Sequence, residues 1–140
     1  MNARTAAPWH LWAVGVATLL WNGIGAASYL MTRLGRLESL GMTGDQIAYF
    51  NSFPAWANAV WALGVWGALL GSVLLLLRSR WAVAAFAVSI VGLIGTTLFE
   101  QAFTDVPEDL SNPLLNVAIW AITLASLVYA WRMRERGVLR

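Results

Sequence analysis

Residues 55–99 read AWANAVWALGVWGALLGSVLLLL, then RSR, then WAVAAFAVSIVGLIGTTLF, and this segment decides the fold. It contains two uncharged apolar stretches, and a helix needs about 20 apolar residues to cross a bilayer core. The intervening Arg78, Ser79 and Arg80 form a connection too short for anything but an antiparallel turn. The sequence therefore predicts two membrane spans, at 55–77 and 81–103, paired as a helical hairpin.

Two further apolar stretches flank this hairpin, at 9–31 and 113–131. Of the 140 residues, 59% are hydrophobic and only 11% are charged, whereas soluble domains are nearer to one quarter charged. The composition predicts an all-α membrane protein, a bundle of four antiparallel transmembrane helices. Four spans occupy most of the chain, so we expect a single membrane domain over 1–140.

The arginines predict the orientation of the bundle. Two of them, Arg33 and Arg36, follow the first span, whereas seven fall on the other side: Arg4, Arg78, Arg80, Arg132, Arg134, Arg136 and Arg140. Arginine-rich loops face the cytoplasm, so we expect both termini there, with a cytoplasmic tail at 132–140. A cleaved signal peptide ending at Ala27 is the competing interpretation, and the tryptophans of this segment argue against it.

The long connection at 32–54 contains a helix-start signal. Thr43 and Gln46 have the spacing of a capping box, in which each side chain bonds the backbone N–H of the other residue. We expect a short helix at about 44–52, lying in the outer membrane interface. Asn112 followed by Pro113 is a second such signal, before the last span.

Polar residues within the spans predict a pocket that opens on the outer side. At about 1.5 Å per residue, Asn22 falls near mid-membrane, and the other candidates share the outer quarter of the bundle. The predicted ligand-binding residues are Asn22, Tyr29, Asn58, Glu100 and Asn116, with Trp61 and Trp120 as stacking surfaces. Structural interpretations stay open for two of these residues. The alternative for Asn22 is a hydrogen bond between helices. The alternative for Glu100 is a position at the membrane boundary, where it is hydrated or hydrogen-bonded to Asn116.

Small residues predict where the helices approach closely, since membrane helices associate by backbone proximity. These packing positions are Gly64, Gly67, Gly71, Gly92 and Thr96. They fit packing within one chain, and self-association is the alternative.

The residue inventory excludes several kinds of chemistry. The chain has no cysteine, no lysine and one histidine, so thiolate metal sites, Schiff bases and haem bound by a histidine pair are ruled out. No nucleophile, paired carboxylates or ligand cluster forms a catalytic pattern. We therefore expect no enzyme activity, cofactor or metal, and the distribution of arginines indicates a lipid bilayer rather than nucleic acid as the partner.

Phe53-Pro54-Ala55-Trp56-Ala57, the glycine-rich span after it, and Leu77-Arg78-Ser79-Arg80-Trp81-Ala82 resemble a group of small bacterial inner-membrane proteins. Proteins of this group have four predicted helices and often carry the automatic label "sugar transporter". The resemblance implies a four-helix architecture in the bacterial inner membrane and implies no site residues. The chain lacks the early intramembrane glutamate of small multidrug exporters and the cysteines of quinone-linked thiol oxidases.

Two functional hypotheses follow. The first is a protein that binds or transports a small solute through the outward-facing pocket, acting as a homodimer. The second is an accessory subunit without chemistry of its own, which docks on a larger membrane complex through the small-residue face around Gly67 and Gly71. A membrane enzyme ranks third.

Overall fold

The structure is a computed structural model that describes residues 6–108 and 112–140. Within these residues the chain forms five α-helices and one short 3₁₀ turn (Leu37–Leu40). The helices are α1 (Trp9–Arg33), α2 (Gly44–Asn51), α3 (Ala55–Leu76), α4 (Trp81–Phe103) and α5 (Pro113–Glu135). All but α2 are long and apolar enough to cross a membrane, which confirms the prediction of an all-α chain with four such helices. Arg4, one of the seven arginines used to predict the orientation, lies outside the described residues.

α3 and α4 form the closest helix pair, and glycines allow their backbones to touch. A Cβ atom built on Gly92 would clash with the backbone nitrogen of Gly64. One built on Gly67 would lie 2.9 Å from the nitrogen of Ser89. The Ser89 hydroxyl also donates to the Gly64 carbonyl at 2.7 Å. This face of α3 is therefore occupied by α4 of the same chain.

The remaining long helices flank this pair, α1 on α3 and α5 on α4. α1 and α5 meet where α1 begins and α5 ends, through a 2.5 Å hydrogen bond between the His10 ring and the Tyr129 hydroxyl. Leu11 is fully buried at the same level. The bundle is thus closed at this end, which also carries Arg78, Arg80 and the arginines of 132–140, and which we call the arginine-rich end.

Two helices terminate at the arginine-rich end in Schellman motifs, in which a residue with positive φ turns the chain. In α5 this residue is Gly137, with φ 75°, and the Val138 N–H bonds back to the Met133 carbonyl at 2.9 Å. In α3 it is Arg78, with φ 57°, and the Ser79 N–H bonds back to the Leu74 carbonyl at 2.8 Å.

The segment predicted as the tail, 132–140, contains the end of α5 and a turn after it. α5 continues to Glu135, and the residues after it turn back beneath the bundle. Val138 and Leu139 are buried in one cluster with Leu11, Leu75 and Phe86. The physical reason is the Schellman turn, which commonly places an apolar residue just after the glycine against the preceding helix.

α2 begins at the predicted capping box. The Gln46 N–H donates to the Thr43 hydroxyl at 3.3 Å, and the Thr43 N–H donates to the Gln46 side-chain oxygen at 2.9 Å. At the start of α5, the Leu115 N–H donates to the Asn112 side-chain oxygen at 3.1 Å, with Pro113 in the first turn. Both helix starts are therefore fixed by local side chains.

Candidate functional site

α2 and Phe53, which follows it, cover one end of the α3–α4 pair, and we call residues 44–53 the lid. Its aromatic rings supply the contacts. Phe53 lies against Phe99 of α4, with ring centroids 4.8 Å apart, and Phe50 stacks on Trp61 of α3 at 5.9 Å. The lid therefore packs on both helices of the central pair, at what we call the lid end of the bundle.

Glu100 lies under the lid, near the end of α4, and it is partly buried. One turn later, the Thr104 hydroxyl donates to the Glu100 carbonyl at 2.9 Å. The Tyr49 hydroxyl of the lid lies 3.3 Å from the Thr104 hydroxyl. Burial of the phenol raises the pKa of Tyr49, the hydrogen bond with Thr104 opposes the rise, and the charge of Glu100 adds to it. The Tyr49 phenol is thus within electrostatic reach of the Glu100 carboxylate.

Two other candidate residues lie beside the lid. The Tyr29 ring of α1 meets Trp61 edge to face, with centroids 5.0 Å apart, so Trp61 lies between Tyr29 and the lid ring Phe50. The Asn58 side-chain amide donates to the Phe53 carbonyl at 3.2 Å and ties the end of the lid to α3. Tyr29, Asn58, Trp61 and Glu100 are thus brought to the same end of the bundle.

Asn22 has a different environment. Its amide nitrogen donates to the Ser72 hydroxyl at 2.9 Å and to the Ala68 carbonyl at 3.2 Å. Both acceptors belong to α3, so the Asn22 side chain joins two helices well below the lid. This geometry fits the alternative interpretation of Asn22, a hydrogen bond between helices instead of a role in the pocket.

Asn116 and Trp120 lie on α5, away from the lid contacts. Asn116 is exposed, and its neighbours Leu114 and Val117 are 80% and 65% exposed. The buried residues of α5 all occur later, from Thr123 onward. The first turns of α5 therefore stand apart from the packed core, and the described contacts do not bring Asn116 to Glu100.

The aromatic side chains of the lid are not among the residues predicted for the site. Tyr49, Phe50 and Phe53 occupy positions i, i+1 and i+4, a spacing that puts Tyr49 and Phe53 on the same side of a helix. Thr104 comes four residues after Glu100, and this spacing likewise puts the two residues on the same side of a helix. This periodicity was the available signal, once the capping box had fixed where α2 begins.

Among the described residues, no group of three or more histidine or acidic side chains comes together in an arrangement that would hold a metal ion. Comparisons with protein-family models, with curated proteins and with solved structures found no match for this chain. The chemistry of the lid end is therefore the basis for a functional proposal.

Proposed function

We propose that this chain binds or transports a small solute through the lid end of the bundle, and that the solute is cationic. The observation that carries the proposal is the partly buried Glu100, one helical turn before Thr104, whose hydroxyl lies 3.3 Å from the Tyr49 hydroxyl of the lid. In the four long helices the only other acidic residue is Glu135, at the end of α5. A carboxylate near the membrane core is costly to keep without a partner, and such residues mark binding sites.

The surroundings of Glu100 favour an organic cation. Aromatic rings attract cations through their negative faces, and this attraction strengthens when water is excluded. The Phe53 ring contacts Phe99, which precedes Glu100 in α4, and it also contacts the rings of Tyr49 and Trp61. A solute with an ammonium group would pair with Glu100 and rest against the rings, whereas a neutral sugar would leave the carboxylate without a counter-charge.

Entry of a solute requires the lid to move, because its rings fill the space over α3 and α4. The lid is held by ring packing and by polar contacts that include Tyr49 with Thr104 and Asn58 with the Phe53 carbonyl. No disulfide fixes it, since the chain has no cysteine. In this proposal the solute replaces ring contacts of the lid, and the lid closes over it as a gate.

We further propose that the arginine-rich end faces the cytoplasm and that the lid lies in the outer interface of a bacterial inner membrane. The support is the excess of arginine at the ends of α3 and α5 and at the start of α4. Reporter fusions test this orientation. A fluorescent protein fused to the carboxyl terminus should fluoresce, and alkaline phosphatase fused there should be inactive. The opposite pattern would reverse the orientation.

The accessory-subunit hypothesis is supported by the exposure of α5 and not by the docking face that was predicted for it. Its predicted docking face at Gly67 and Gly71 is filled within the chain, because Gly67 meets Ser89 and Gly71 meets Phe86. The exposed first turns of α5, around Leu114 and Val117, remain available to a protein partner. In this alternative a larger membrane protein covers α5, and the lid is structural.

Native mass spectrometry of protein gently extracted from its host membrane separates the two functions. The solute proposal expects a monomer or homodimer that carries a small bound mass, and stoichiometric assembly with a larger protein would instead support the subunit hypothesis. Thermal unfolding with choline, and with glucose as the neutral control, adds a direct test. Choline should stabilise the protein and Glu100→Gln should remove the effect, whereas equal stabilisation of both proteins would reject Glu100 as the binding group.

A further inference from the structure

A second polar site lies at the arginine-rich end, on the opposite side of the membrane-spanning core from the lid. Here the structure contains a cavity of about 530 Å³. Its lining residues are Arg80, Trp81, Ala84, Arg134, Leu139 and Arg140. A cavity of this size is within the range of small-molecule sites. Three of its six lining residues carry a permanent positive charge.

The cavity wall is built by main-chain hydrogen bonds. The Arg80 N–H donates to the Arg140 carbonyl at 2.8 Å, and the Arg140 N–H donates to the Arg78 carbonyl at 2.8 Å. The residues after α5 are thereby paired with the turn between α3 and α4, and Leu139 is anchored in the core. The guanidinium groups of Arg80, Arg134 and Arg140 take no part in this main-chain pairing.

Electrostatics at the cavity favour an anion. Arg80 directly precedes α4, and the first turn of α4, which the structure describes throughout, has no acidic side chain. The amino end of a helix carries partial positive charge, which adds to that of the arginines. The nearest acidic residue in sequence is Glu135, whose carboxylate accepts a hydrogen bond from the Trp131 indole at 3.3 Å.

The apolar part of the lining indicates the source of the anion. Trp81 and Ala84 lie in the first turn of α4, where the span begins, and Trp81 is 63% exposed. The cavity therefore combines arginines at the membrane boundary with an apolar wall that continues into the span. A free phosphate ion would use only the arginines, whereas a phospholipid would use both surfaces.

We propose that this cavity binds the phosphate-bearing headgroup of an anionic phospholipid, with Arg80, Arg134 and Arg140 on the phosphate and Trp81 beside the first acyl carbons. Arg78 has another role, because its Nε donates to the Val138 carbonyl at 3.1 Å and holds the chain end in place. The proposal concerns a site separate from the solute site under the lid, and it stands whether or not that site binds a cation.

The test is a titration of the full chain, purified in a neutral detergent, with phosphatidylglycerol, followed by native mass spectrometry. Arg80→Gln and Arg134→Gln should each weaken binding about fivefold, as expected for one arginine near an anionic headgroup. Arg132→Gln is the matched control, because it removes the same charge from the same turn of α5 without lining the cavity. It should change the affinity by roughly twofold or less. Phosphatidylcholine should bind more weakly than phosphatidylglycerol to the wild type.

Other results would overturn the proposal. Equal losses in Arg132→Gln and Arg134→Gln would indicate general surface charge, and equal affinity for the two lipids would remove the anion requirement. Displacement of the lipid by an excess of inorganic phosphate would identify a free-phosphate site instead. Glutamine at position 80 keeps the main-chain hydrogen bond to the Arg140 carbonyl, and thermal unfolding in the same detergent verifies that each variant is folded. Arg134→Gln alone decides the matter if Arg80→Gln is unstable.

Discussion

The amide nitrogen of Asn22 lies 2.9 Å from the hydroxyl oxygen of Ser72, and this hydrogen bond links α1 to α3 within the apolar part of the bundle. Ser72 is completely buried, and its own hydroxyl donates to the Ala68 carbonyl at 3.0 Å. Asn22 donates to the same carbonyl. One amide therefore satisfies two acceptors on a neighbouring helix, and α1 has a fixed register on α3.

This geometry predicts that Asn22 and Ser72 are energetically coupled. Asn22→Ala and Ser72→Ala should each destabilise the fold, and the double variant should lose less than the sum. A hydrogen bond between membrane helices contributes about 0.6 kcal/mol on average, with an upper value of about 1.7. Unfolding in mixed detergent measures the coupling through a double-mutant cycle. A coupling energy of zero would show that the bond does not hold α1 to α3.

A second prediction compares two glycines. Gly92→Ala places a methyl group closer to the Gly64 backbone and the Val60 carbonyl than van der Waals contact allows. The two helices α3 and α4 must therefore move apart. Overpacking of this kind costs about 1–3 kcal/mol. Gly25→Ala is the matched control, because a Cβ atom there meets nothing within 4 Å. Unfolding measurements should show a large loss for Gly92→Ala and none for Gly25→Ala, and similar losses would refute the close approach.

A third prediction concerns the left-handed conformation of Arg78. At φ 57° a side chain crowds its own backbone, which costs about 1–2 kcal/mol, and glycine avoids this cost. Arg78→Ala and Arg78→Gly both lose the hydrogen bond to the Val138 carbonyl, but only alanine keeps the strain. Arg78→Gly should therefore be more stable than Arg78→Ala by about 1 kcal/mol. The two variants are compared by thermal unfolding, and equal stabilities would contradict the strained turn.

The sequence predicted those parts of the fold that depend on local or periodic signals. The apolar stretches predicted four long helices, and Thr43 and Gln46 predicted where α2 begins. Arg78 could not be recognised as a left-handed residue, because arginine has no preference for that conformation and the turn is imposed by the α3–α4 pairing. Gly137 is the residue type that commonly follows a helix end. This signal was not used, because the arginines around it were interpreted only as a sign of orientation.

The candidate site was predictable only in part, because helix periodicity tells which residues share a face and not which face meets another helix. Tyr29, Asn58, Trp61 and Glu100 share the lid end, as their depth in the spans suggested. Asn116 has the same depth, but the first turns of α5 stand apart from the core. The environment of Asn116 depends on the angle at which α5 packs on α4, and small residues such as Ala121 and Ala125 do not specify this angle.

The last prediction uses pH to test the relationship between Tyr49 and Glu100. The pKa of Tyr49 is raised in the folded chain, chiefly by burial, and the charge of Glu100 contributes to the rise. Because the folded state holds the phenol proton more tightly than the unfolded state, the stabilisation from Tyr49 is complete below a pH of about 10 and is lost as the pH rises through the raised value. A titration of tyrosinate absorbance should therefore contain a component above the ordinary tyrosine midpoint that disappears in Tyr49→Phe. Glu100→Gln should shift this component to lower pH, because the phenolate would no longer face a negative charge. An unchanged midpoint in Glu100→Gln would mean that the Glu100 carboxylate lies too far from Tyr49 to act on its phenol, and the proposed cation site under the lid would then lack its anionic group.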